Sequence, residues 1–226
     1  MFIGHFGTGL AAKKIDERPS LGTLFLAAQF VDLLWPVFIL AGIEKVKIEP
    51  GNTVFTPLNF IYYPYSHSLL GAIFWALLFG VVYYLSKRNI RTSVLLGVLV
   101  ISHWVLDFFS HRADLPLVPW SDFKVGLGLW NSLPLTIIIE GLIFLIGAWL
   151  YISYAKAENK TGFYRIWGLL LFLVIIYINN IFAPPPPSET AIGWVGLSQW
   201  LIIAWGYWID KKRISKINIQ TANQKE

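Results

Sequence analysis

Six stretches of about 20 residues, each nearly free of charge, run through the chain: Leu21–Ile43, Ser68–Leu85, Ser93–Ser110, Ser132–Tyr154, Tyr164–Phe182 and Ala191–Ile209. A helix needs roughly 20 apolar residues to cross the hydrocarbon core of a bilayer, because it rises only ~1.5 Å per residue. None of the stretches alternates apolar and polar residues with the period of two that a membrane barrel strand requires. The expected fold is therefore all-α, a polytopic membrane helical bundle of about six transmembrane helices in a single integral-membrane domain over residues 1–210. The segment Phe2–Ala12 is apolar but only half a span long, which fits a short N-terminal re-entrant or interfacial helix. Residues 211–226 read as a basic cytoplasmic tail.

Composition narrows the chemistry. Charged residues make up 14% of the chain, against about 25% in soluble domains. There is no cysteine, which excludes disulfides, thiolate metal sites and cysteine nucleophiles. The net charge of +5 belongs to loops beside anionic lipid, so membrane lipids and not nucleic acid are the expected partners. Of the 18 Lys and Arg residues, all but Lys45, Lys47, Arg112 and Lys124 fall on one set of alternate connections and the two termini. The positive-inside rule then places both termini in the cytoplasm and the segments 44–67, 111–131 and 183–190 outside.

Ionisable side chains within apolar spans cost several kcal/mol and usually mark function. Asp32 lies in the first span, His103 and Asp107 in the third, and Glu140 in the fourth. His103, Asp107 and His111 recur at i, i+4 and i+8, so they share one helix face. Two imidazoles and a carboxylate in that register suit Zn²⁺, Mn²⁺ or Fe²⁺; the same spacing also suits a hydrogen-bonded His–Asp–His ladder. Asp32, His103 and Glu140 fall at a similar depth, and His67, at the outer end of the second span, lies one turn from that level. His5 starts from the opposite side of the membrane, so it reaches the same cavity only if the N-terminal helix dips into the bundle. Asp114 is a candidate to orient an imidazole from behind; Asp16 could do the same but lies among the cytoplasmic charges, which points to another role.

The order His5, Asp32, His67, His103-x-x-x-Asp107, His111 resembles the bacterial inner-membrane family described as membrane-bound metal-dependent hydrolases. That family is in turn similar to zinc-dependent phospholipase C and P1 nuclease. The resemblance covers roughly residues 1–115 and uses all four histidines of the chain. It implies that His5, Asp32, His67, His103, Asp107 and His111 bind one or two divalent ions, zinc foremost, with manganese or iron as alternatives. It also implies hydrolysis of a phosphate ester or lipid-type substrate at the inner membrane. Asp32 is the expected general base, with Glu140 as the alternative catalytic carboxylate. Two other functions suit the same buried groups: movement of ions or protons by a transporter or channel, and a non-catalytic bundle stapled by metal.

Overall fold

The computed structural model describes residues 1–210 and the backbone of Arg213–Ser215. In chain order the helices are α1 (Phe2–Ile15), α2 (Leu21–Ala28), α3 (Phe30–Leu40), α4 (Pro64–His67), α5 (Leu69–Lys87), α6 (Ile90–Ser110), α7 (Leu133–Tyr154), α8 (Lys160–Phe182), α9 (Glu189–Leu197) and α10 (Gln199–Asp210). The strands are short antiparallel pairs: β1 (Lys45–Ile48) with β2 (Leu58–Tyr62), β3 (Leu115–Pro116) with β4 (Lys124–Val125), and β5 (Ala155–Ala157) with β6 (Arg213–Ser215). The expected basic tail, 211–226, otherwise lies outside the described residues.

The all-α polytopic bundle stands. Among the described residues α5, α6, α7 and α8 are each long and apolar enough to cross a membrane. Side-chain caps fix several starts: Ser68 accepts from the Gly71 amide, Asn89 from Thr92 and Asn159 from Gly162, each satisfying a donor that the first helical turn leaves orphaned. Two expected spans are not single helices. The first is broken at Gln29 into α2 and α3, which meet at 58°. The last is interrupted at Ser198 into α9 and α10. Neither interruption carries a proline or glycine, and the pieces pack pairwise: α3 against α9, and α2 against α10. The Thr23 and Tyr207 hydroxyls join α2 to α10 at 3.1 Å.

The molecule has two distinct ends. At one, Lys13 donates to Pro19 O and Asp210, Thr92 donates to Asp16, Arg91 donates to Ile15 O, and Tyr154 donates to Glu17. These bonds tie together the connections that carry most of the Lys and Arg. The other end is capped by the β1–β2 hairpin, α4, β3–β4 and a 3-10 turn at Leu129–Asn131.

Of the two placements expected for the short N-terminal helix, its burial inside the bundle fits the re-entrant one and not the interfacial one. α1 enters from the basic end and buries its first turns in the centre, against α7, α2 and α6. Its approach to α7 depends on glycine. A Cβ on Gly147 would overlap the Gly7 carbonyl oxygen, and one on Gly7 would fall 2.7 Å from Ile143 O. Small residues let membrane helices approach this closely. Gly147→Ala is therefore expected to destabilise the detergent-solubilised protein by about 1–3 kcal/mol; thermal unfolding against wild type checks this.

Candidate metal centre

The bundle's polar centre is assembled by α1, α3, α4 and α6. His103 is the most informative side chain. Its Nδ1 lies 2.9 Å from the Ala28 carbonyl, which the break at Gln29 leaves at the end of α2. A carbonyl only accepts, so Nδ1 carries the proton and donates. The opposite atom, Nε2, faces two carboxylates, 3.2 Å from Asp107 Oδ2 and 3.5 Å from Asp32 Oδ1. It is nonetheless buried without a hydrogen-bond partner.

His67 repeats the pattern. Glu44 Oε1 accepts the Tyr65 and Ser66 amides, and Oε2 accepts the Ser66 hydroxyl at 2.6 Å. With its proton so committed, the Ser66 oxygen accepts from His67 Nδ1 at 2.7 Å. The free edge of His67 then lies 3.3 Å from Asp32 Oδ1 and 3.8 Å from Asp107 Oδ2. His111 is oriented by a third carboxylate: Nδ1 donates to Asp114 Oδ1 at 3.0 Å, and the Tyr63 hydroxyl donates to the same oxygen at 2.9 Å. Its Nε2 sits 4.0 Å from Asp107 Oδ2. His5 stacks face to face on His103, with centroids 3.6 Å apart and planes 9° from parallel, and its Nε2 is 3.1 Å from Asp107 Oδ1.

Asp107 is the hub. Its Oδ1 takes the Met1 amine at 2.7 Å and His5, which leaves Oδ2 toward His103, His67 and His111. Asp32 occupies the first turn of α3, where the positive end of the helix dipole favours a carboxylate. Its side chain is 24% exposed, against 2% for Asp107, so accessible surface at the centre lies on the Asp32 side.

Outside the spans, the charge balance follows from burial and partners. Burial pushes the Glu44 carboxyl up from its ordinary value, against the three hydrogen bonds it accepts. Burial works the same way on Asp114, but the hydrogen bond from His111 and those from Tyr63 and Arg112 outweigh it and hold Asp114 below its usual range. Burial and the neighbouring Asp114 raise the Tyr63 phenol well above its usual value, so it stays a donor.

Of the residues singled out in the sequence, His5, His103 and Asp107 form one group whose potential ligand atoms lie within 4.8 Å of one another. Asp32, His67 and His103 form a second such group, sharing His103 with the first. His111 flanks both. Glu140 belongs to neither group: it is buried on α7, and neither of its carboxylate oxygens has a hydrogen-bond partner among the described residues. Asp114 orients His111 as expected, whereas Asp16 pairs with Arg18 and Thr92 at the basic end. Sequence reasoning missed Glu44, Ser66 and Tyr63. Ser66 is the immediate neighbour of His67, which was the one available signal; Glu44 reads as an ordinary loop carboxylate at the end of a span.

A family model described as YdjM inner membrane protein matches residues 63–183. The chain belongs to the YdjM inner membrane protein family. The YdjM match, with the apolar helices, makes this an inner-membrane protein. Its description names a location and no reaction. The matched region includes His67, His103, Asp107, His111 and Glu140, while His5 and Asp32 lie ahead of it. No curated protein and no solved structure matched the chain.

Proposed function

We propose that this YdjM-family protein is a metal-dependent hydrolase of the inner membrane, acting on phosphate-ester or lipid-type substrates. One observation carries the reading. The Nε2 edges of two imidazoles face the same two carboxylates, with N···O separations of 3.2, 3.3, 3.5 and 3.8 Å. At that distance an imidazole nitrogen and a carboxylate oxygen are held together by a shared proton or by a cation between them, and a cation serves several of these atoms at once. An ion bound at ~2.0–2.1 Å in tetrahedral geometry separates its ligands by about 3.3–3.4 Å. The donors are imidazole nitrogens and carboxylate oxygens, the set that suits zinc, manganese or iron. His103, His67 and Asp107 would hold one ion and leave its fourth position to water beside Asp32, with His5 and His111 flanking Asp107.

When bound, such an ion polarises a phosphoryl or acyl oxygen and lowers the pKa of a coordinated water. The chain's own residues do the rest. Ala28 O, the Glu44–Ser66 pair and Asp114 each fix the tautomer and ring orientation of one histidine, as the groups behind metal ligands do generally. Asp32, the accessible carboxylate, takes up the proton lost by the attacking water. The test is turnover of a panel of phosphodiesters, phosphomonoesters and acyl esters by the purified, metal-replete protein. No turnover of any of them, with metal bound, would leave a structural staple and end the hydrolase reading.

Groups behind the ligands give a graded check. Ser66→Ala leaves His67 Nδ1 without its acceptor and is expected to weaken metal binding about 10–100-fold, read by competition with a chromophoric chelator. A second reading, ion or proton movement, draws on the broken first span, because discontinuous helices often carry ion sites in transporters. Proton flux in reconstituted vesicles that disappears in Asp32→Asn, without hydrolysis, would favour it.

A further inference from the structure

At the capped end, a cavity of about 460 Å³ lies between β2, the segment after α6, and β4, lined by Asn59, Phe60, Ile61, Arg112, Asp114 and Lys124, with Ala113. Two of the four Lys and Arg residues that the sequence places on this side therefore converge on one hollow. The Arg112 guanidinium is held in place: Nη2 donates to Asn59 Oδ1 at 2.5 Å and Nε to Asp114 Oδ2 at 3.1 Å. A guanidinium has five N–H donors, so this leaves N–H groups on a fixed fork. Lys124 is set by the β3–β4 pairing of its backbone with Pro116.

The one acid in the lining is already engaged. Asp114 accepts from His111, Tyr63 and Arg112, so the charge left for a ligand is positive. The hollow also touches the metal centre directly. Phe60 lines it and packs against His111 with ring centroids 4.8 Å apart, and Asp114 lines it and holds His111 Nδ1. Its rim loop exposes Trp120 and Phe123, at 79% and 64%; aromatic side chains of this kind sit at the headgroup level of a bilayer.

We propose that the hollow formed by Arg112 and Lys124 is an anion subsite that binds a phosphate-bearing group beside the metal centre. A planar arginine fork and a lysine are a standard pair for phosphate oxygens. The purpose of the bound anion, presenting an ester to the centre, rests on the hydrolase reading above; the binding itself does not.

The test uses the full chain in detergent, both metal-replete and stripped with chelator, titrated calorimetrically with inorganic phosphate and, separately, with dihexanoyl phosphatidic acid. Saturable binding is expected to persist in the stripped protein. It should weaken about tenfold or more in Lys124→Glu and in Arg112→Gln, and stay unchanged in Lys87→Glu, an equal charge reversal at the opposite end. Tighter binding of the short lipid assigns the subsite to a headgroup, and equal or tighter binding of phosphate assigns it to a soluble phosphate; either supports the subsite. Absence of saturable binding of both probes, or wild-type affinity in Lys124→Glu and Arg112→Gln, overturns it. Metal content measured on the same preparations reports on the metal centre independently: phosphate binding in a protein that never holds metal keeps the subsite and removes the hydrolase reading.

Discussion

Alanine at position 103 is expected to empty the metal centre. Purified wild-type protein should retain about one or two zinc, manganese or iron ions per chain by elemental analysis, and His103→Ala should fall to background. The size of the effect follows from position. His103 is the only residue common to both groups of potential ligands, so its loss leaves neither with three donors. It also removes the ring on which His5 stacks and the donor to Ala28 O. Thermal unfolding separates loss of metal from loss of fold. His103→Ala should unfold below wild type stripped by chelator, because it also loses the His5 stack and the bond to Ala28 O, and added zinc should raise only the stripped wild type. Stabilisation by a ligand at a thousandfold above its Kd amounts to about 4 kcal/mol, enough to be seen easily. His103→Ala protein that keeps wild-type metal content would contradict the ligand assignment.

Asp32→Asn carries the second large effect. Asparagine keeps the shape and one oxygen donor but cannot take up a proton, and removal of a general base typically costs 10²–10⁴-fold in rate. Turnover of whichever ester the wild type hydrolyses should drop by about that range, with metal content at or near wild type. Asp32 is distinguished from Asp107 by its accessibility: its side chain is 24% exposed, whereas Asp107 is 2% exposed and surrounded by Met1, His5, His67, His103 and His111. The same substitution at Asp107 is therefore expected to act through metal loss and stability, not through rate alone. An Asp32→Asn enzyme with unaltered kcat would remove Asp32 from proton transfer.

Much of the architecture is legible in the residues because the bilayer leaves few options. Uninterrupted apolar runs became α5 to α8 with ends within a few residues of expectation, and capping residues such as Ser68 and Asn89 mark the starts. The helical register of His103, Asp107 and His111 also carried through: His103 and Asp107 fall on α6, and His111 caps it. The breaks did not carry. Leu21–Ile43 reads as one continuous span, and its proline, Pro36, lies inside α3 instead of at the bend. The interruption at Gln29 is tied to tertiary contacts: Ala28 O meets His103, and α2 and α3 follow different partners. Similar depth estimates for Asp32, His103 and Glu140 were one-dimensional. They could not reveal that Glu140 lies against α1 and outside the groups around His103. Nor could spacing along the chain reveal that Glu44, 23 residues before His67, reaches it through Ser66.

X-ray absorption spectroscopy of the purified full-length protein at the metal edge tests most directly whether these buried imidazoles and carboxylates were gathered around a cation. A bound ion should show a first shell of nitrogen and oxygen at about 2.0–2.1 Å with the outer scattering of two or more imidazoles. A protein that binds no metal above buffer background, or whose metal has only water-like oxygen neighbours and no imidazole signature, would contradict it.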